Sequence, residues 1–108
     1  MKRRLFLKSA LAISSGIALP KIAFAATRHQ IVIEGFKFNP ETLDVKVGDI
    51  IVFINKDSAP HTATADRKSW STMTLKNGQS AELLVASGLE TSYFCKFHPK
   101  MKGQLNIT

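Results

Sequence analysis

Near the C-terminal end, Cys95-Lys96-Phe97-His98-Pro99-Lys100-Met101 places a thiol, an imidazole and a thioether at intervals of three residues. Buried side chains along a strand alternate with a period of two, and this spacing breaks that pattern. The lysines and Pro99 between the donors indicate a tight loop after a strand, from which all three can turn inward. Soft sulfur favours Cu(I), imidazole suits both oxidation states, and Cys-His-His with a weak axial Met is the donor set of electron-transfer copper sites. The second imidazole must come from elsewhere. His29 falls at the expected frayed start of the folded part, so His61 is the candidate. It follows Pro60, which restricts the backbone just before it, and lies shortly beyond the apolar run Ile50–Asn55. The expected metal ligands are therefore His61, Cys95, His98 and Met101, around one copper ion per chain.

Each residue also has an ordinary reading. A lone Cys is commonly a small buried hydrophobe, a lone His a satisfied or surface residue, and Met101, like Met73, a core side chain. Structural zinc would more typically use Cys pairs or a Cys2His2 spacing, and thioether is a poor zinc ligand. A catalytic Cys-His pair would need an orienting third group and an oxyanion site, and nothing obvious supplies them. Three strong donors and one weak one leave no position open for substrate, which argues for a one-electron carrier and against an enzyme.

The elements that must position these residues begin after a leader. Residues 1–25 have a basic start, an apolar stretch of about ten residues and the small-x-small sequence Ala23-Phe24-Ala25, as an export signal does. The stretch is too short for a permanent membrane anchor, which needs roughly 20 apolar residues. Arg3-Arg4-Leu5-Phe6-Leu7-Lys8 resembles the bacterial twin-arginine signal, which implies a periplasmic destination. The leader holds five of the 15 basic residues and none of the 8 acidic ones. Ten basic residues then remain against eight acidic, so the +7 of the whole chain becomes +2 over residues 26–108. That gives no case for nucleic-acid binding, which would need a basic face on the folded domain.

Residues 26–108 form one expected domain with a small core. Domains of this size often need a disulfide or a metal; a single cysteine, Cys95, cannot form an internal disulfide. Short β-type runs dominate, with strands expected at about 30–34, 42–47, 49–55, 62–65, 79–85, 91–95 and 103–108. Asn39-Pro40, Val47-Gly48-Asp49, Asn77-Gly78 and Ser87-Gly88 supply the turns between them. Seven or eight strands at this spacing predict an all-β Greek-key sandwich or barrel. Ile50–Ile54 is apolar on both faces and is placed centrally, with Leu105 and Ile107 on a neighbouring strand. Trp70 is expected to anchor the 66–73 segment to the core.

Cys-x2-His-x2-Met-x-Gly, here Cys95 to Gly103, resembles the ligand loop of the amicyanins, in the plastocyanin and pseudoazurin branch of the cupredoxins. The resemblance extends to Phe36-Lys37-Phe38-Asn39-Pro40, to Val45-x-Val47-Gly48-Asp49-x-Ile51-x-Phe53-x-Asn55-x-Asp57, to Ala59-Pro60-His61-Thr62 and to Tyr93. It implies a type 1 (blue) copper protein with His61, Cys95 and His98 as equatorial ligands and Met101 as the axial one. Asn55 would fasten the ligand loop through hydrogen bonds. Lys96-Phe97 and Lys100 depart from the amicyanin pattern around His98, so no particular partner carries over. Redox proteins, such as a c-type cytochrome or a periplasmic dehydrogenase, are the expected partners of a monomeric carrier. Lys96, Lys100 and Lys102, with Phe97 and Pro99 between them, would form a small apolar contact surface ringed by positive charge. A module that buffers or delivers copper would use the same ligands.

Overall fold

The computed structural model describes residues 26–108, and the expected leader lies outside the described residues. Eight strands follow in order: β1 (Arg28–Ile33), β2 (Phe38–Asn39), β3 (Thr42–Val45), β4 (Ile50–Asn55), β5 (Thr64–Ala65), β6 (Ser80–Leu84), β7 (Ser92–Cys95) and β8 (His98–Ile107). They make two four-stranded sheets, β2-β1-β4-β6 and β3-β8-β7-β5. No helix occurs among the described residues. The all-β sandwich read from the strand spacing is the architecture found.

Only β1–β2 and β7–β8 are sequential neighbours within a sheet; every connection from β2 to β7 changes sheet. Because of that crossing, β1 pairs with β4 and β3 with β8 in parallel, while the other pairings are antiparallel. Period-two alternation then builds the interior. Ile31, Ile33, Ile51 and Phe53 from the first sheet share one buried cluster with Val45, Tyr93, Cys95 and Leu105 from the second. Each buried Ile, Leu or Phe contributes about 1.5–3 kcal/mol relative to exposure, so this layer is the main source of stability. At the end of β4 the alternation puts a polar residue, Asn55, fully inside.

Several expectations change. Leu105 and Ile107 do not lie on a strand beside Ile50–Ile54: β4 is flanked by β1 and β6, and β8 belongs to the other sheet. Leu105 meets the β4 side chains across the sandwich instead. The second apolar face of β4 (Ile50, Val52, Ile54) is only half-buried. β2 is not among the expected strands; it pairs only with the end of β1, at Val32 and Ile33. Met73 is 69% exposed and is not core. His29 is not frayed; it sits within β1 with Nε2 2.8 Å from Asp49 Oδ2. Trp70 does anchor its segment: its ring stacks 6.3 Å from Phe53, and Nε1 donates to the Glu90 carbonyl at 2.9 Å. Gly103 faces Tyr93 across the β7–β8 ladder, where any Cβ would overlap the tyrosine ring. Only glycine fits there.

Candidate metal centre

The site starts from the buried amide at the end of β4. Asn55 Nδ2 donates to the carbonyls of Ala59 (2.9 Å) and Leu75 (2.7 Å), and its Oδ1 accepts from the Asp57 amide (2.8 Å). These bonds fold residues 56–60 back so that His61 enters the sandwich. An isolated antiparallel bridge to Leu75 then clamps the His61 backbone through both its amide (3.0 Å) and its carbonyl (2.8 Å). The His61 side chain is completely buried. Its Nε2 lies 2.8 Å from Asp57 Oδ2, and its Nδ1 lies 3.6 Å from Cys95 Sγ. Two donors 34 residues apart in sequence are thus adjacent.

Cys95, the last residue of β7, is also fully buried, and its sulfur accepts from the Thr62 amide at 3.5 Å. Thr62 Oγ1 in turn accepts from the Lys96 amide at 3.0 Å. The residue after His61 therefore ties its own segment to the turn after Cys95. Asn55 does not do this: its bonds stay within the His61 segment and Leu75, so the fastening role the resemblance gave Asn55 falls to Thr62.

The stretch from Cys95 to Met101 is not a free loop. A turn at Lys96-Phe97 is followed directly by β8, whose first residue, His98, pairs with Cys95. Phe94 already pairs with Lys102, so Pro99, Lys100 and Met101 form an irregularity on the β8 side. Bulges of this kind re-aim side chains, which explains donors at intervals of three on a hairpin. Met101 is buried, in the same cluster as Cys95. His98 is partly exposed, with its ring centroid 5.2 Å from that of His61 and the planes at 61°. The contacts among the expected donors are pairwise. Among the described residues no three His, Cys, Asp or Glu side chains form one metal-holding group.

Asp57 and Phe36 complete the surroundings, and the sequence reading gave neither a role. The amides of Gly35 and Phe36 donate to Oδ1 and Oδ2 of Asp57 at 2.8 and 3.0 Å. Burial works to raise the Asp57 carboxyl; the Phe36 and Gly35 amides and the His61 ring outweigh it and hold the group below its ordinary range. Phe36, 51% exposed, sets its ring against both His61 (5.1 Å) and His98 (4.8 Å), nearly perpendicular to each. The spacing of four between Asp57 and His61 was the available signal for a partnered imidazole.

The donor set fits copper on its own chemistry: one buried thiol in contact with one imidazole nitrogen, a second imidazole beside the first, and a buried thioether on the same hairpin. The family model for the cupredoxin-like domain matches residues 5–107, and the chain belongs to that family. No curated protein matches it in sequence. Among solved structures, it is similar to the Cu(I) form of an amicyanin mutant: 28% identity, TM-score 0.67, covering 78% of this chain and 85% of that one. A purple cupredoxin from Nitrosopumilus maritimus is 24% identical, with TM-score 0.64 over 74% of this chain and 99% of that one. A Cu-containing nitrite reductase from Thermus scotoductus gives TM-score 0.71 at 23% identity over 85% of this chain. This chain spans only 25% of that enzyme's length. At these identities the last two likenesses concern the fold alone.

Proposed function

We propose that the protein is a periplasmic one-electron carrier with a type 1 copper site formed by His61, Cys95, His98 and Met101. The observation that carries this reading is the approach of His61 Nδ1 to Cys95 Sγ at 3.6 Å, both completely buried. Copper bound there supplies one-electron exchange between Cu(II) and Cu(I). The protein's residues do the rest. The sandwich fixes His61 through Asn55 and Leu75, and the Thr62 amide holds the sulfur in place. With both donors locked, geometry changes little with oxidation state. His98 is the partly exposed donor, flanked by Phe97 at 46% exposure and by exposed Lys96 and Lys100. It offers the path for the electron to a redox partner docked on this end. Encounters of this kind are small, below about 1,200 Å² of total buried surface, and charge speeds them by steering. The amicyanin likeness supports a redox protein as partner, and the twin-arginine-like leader supports export to the periplasm.

Stopped-flow mixing of the reduced, copper-loaded protein with soluble c-type cytochromes tests the carrier reading. Fast electron exchange is expected with an acidic partner, slowing as salt shortens the Debye length to about 8 Å at 0.15 M. Replacing Lys100 and Lys102 by Glu should slow it further without altering the copper spectrum. Release of copper on the timescale of the reaction would replace the carrier by a copper buffer.

A further inference from the structure

Asp57 touches both the imidazole beside the thiol and the segment that covers it. Its three partners, Gly35 N, Phe36 N and His61 Nε2, converge on one carboxylate. Gly35 and Phe36 both have positive φ, +65° and +57°. Successive amides in such a conformation form a concave nest for an anion. Phe36 is not glycine, so this backbone is unusual for it, and the Asp57 carboxylate is what fills the nest. The same side chain is only 13% exposed, while His61 is fully buried.

Building on the copper site proposed above, we infer that Asp57 is a positioning residue that sets the tautomer of His61 and the reduction potential of the centre. Backbone amides can only donate, so the carboxylate facing two of them is an acceptor. The His61 nitrogen against it, Nε2, must then carry the proton. A neutral imidazole has one donor and one acceptor nitrogen, which leaves the Nδ1 lone pair pointing at Cys95 Sγ, where a metal would bind. A carboxylate on the far nitrogen also makes a ligating imidazole more basic. That favours Cu(II) over Cu(I) and lowers the potential. Phe36, pinned by the same carboxylate, sets its ring nearly perpendicular to both imidazoles.

Asp57→Asn removes the charge and keeps an oxygen for His61. Spectroelectrochemistry of the copper-loaded full chain should show the potential rising. A tenfold change in the Cu(I)-to-Cu(II) affinity ratio reads as about 59 mV for one electron, and a rise of at least that size is expected. The same substitution in a Phe36→Ala background, where no ring remains to be loosened, should give a rise of the same sign. Unchanged or lowered potentials in both backgrounds would overturn the inference. Nitrogen-15 NMR of the metal-free wild type tests it without copper or a variant. Protonated Nε2 and unprotonated Nδ1 are expected for His61, and a proton on Nδ1 would overturn the assignment. A wild type that shows no charge-transfer band with Cu(II) would sink the copper reading, yet the NMR result would still judge Asp57.

Discussion

His61 and His98 stand with ring centroids 5.2 Å apart, yet the chain holds them in different ways. His61 is fixed by a buried network: Asn55 shapes its loop, Leu75 clamps its backbone, and Asp57 orients its ring. His98 sits at the first position of β8, just after a two-residue turn, partly exposed among lysines. Cys95 is shared between them, anchored to the His61 segment through Thr62 and to His98 through the β7–β8 ladder. The difference separates two jobs. Under the carrier reading proposed above, the buried side would keep donor geometry constant and the exposed side would meet the partner. A site built only in the first way would be sealed from its partner, and one built only in the second would be loose.

Breaking the buried side should have the largest effect. Asn55→Ala removes three hydrogen bonds, one buried and two part-buried, and leaves the Asp57 amide and the Ala59 carbonyl without their partner. At about 1–3 kcal/mol per unsatisfied buried group, a loss on the order of 3–4 kcal/mol is expected. Urea unfolding of the metal-free protein measures it; a loss below about 1 kcal/mol would mean the His61 segment is not held by Asn55. Folded domains have only about 5–15 kcal/mol in total, so this variant approaches the limit of folding.

The hairpin side depends on close packing instead. Gly103→Ala drives a methyl group into the Tyr93 ring, itself packed among Phe38, Phe53 and Trp70. Overpacking of this kind costs about 1–3 kcal/mol. The upper part of that range is expected, with the β7–β8 ladder and hence the copper-site spectrum perturbed. An unperturbed spectrum and melting point would show that the hairpin tolerates a shift of Tyr93. The seam between the two sides should respond less. Thr62→Val deletes the acceptor for the Lys96 amide, while the Thr62 amide still reaches Cys95. A loss of about 1 kcal/mol is expected, with faster hydrogen exchange at Lys96 and none at His61. Equal exchange changes on both sides would merge them into one unit.

The smallest effect concerns two carboxylates outside the site. Asp49 is held below its ordinary value chiefly by His29 and then by the Lys46 amide, and Glu90 chiefly by the Ser69 hydroxyl. A carboxyl lowered in the folded state contributes stability above its unfolded pKa and loses it as pH falls through the folded one. Thermal melts of the metal-free protein should therefore be flat above about pH 5 and decline gently below about pH 4. A melting point rising on acidification would contradict those pairings.

The architecture was legible because most of the strands are long enough to display alternation, and the candidate donors stood out because Cys95, His98 and Met101 break that alternation. The sequence was less informative wherever partners are distant in the chain. Nothing local in β8 says that it joins β3 in parallel rather than β4, so Leu105 and Ile107 were placed beside the wrong strand. Thr62 reaches Cys95 and Lys96, and Asp57 reaches Gly35 and Phe36, across more than twenty residues of chain, and such bonds leave no periodic trace. Met73 resembles core by type alone, yet it is exposed on the same 66–73 segment that Trp70 anchors. Phe36 owes its place over the imidazoles to a left-handed turn stabilised by a residue 21 positions away.

The most direct test of the central claim is the visible spectrum of the protein after one equivalent of Cu(II), taken beside Cys95→Ser. A thiolate held next to the imidazoles should give an intense charge-transfer band near ~600 nm, and the serine variant should lose it entirely. A wild type that binds Cu(II) stoichiometrically but stays colourless would contradict the account.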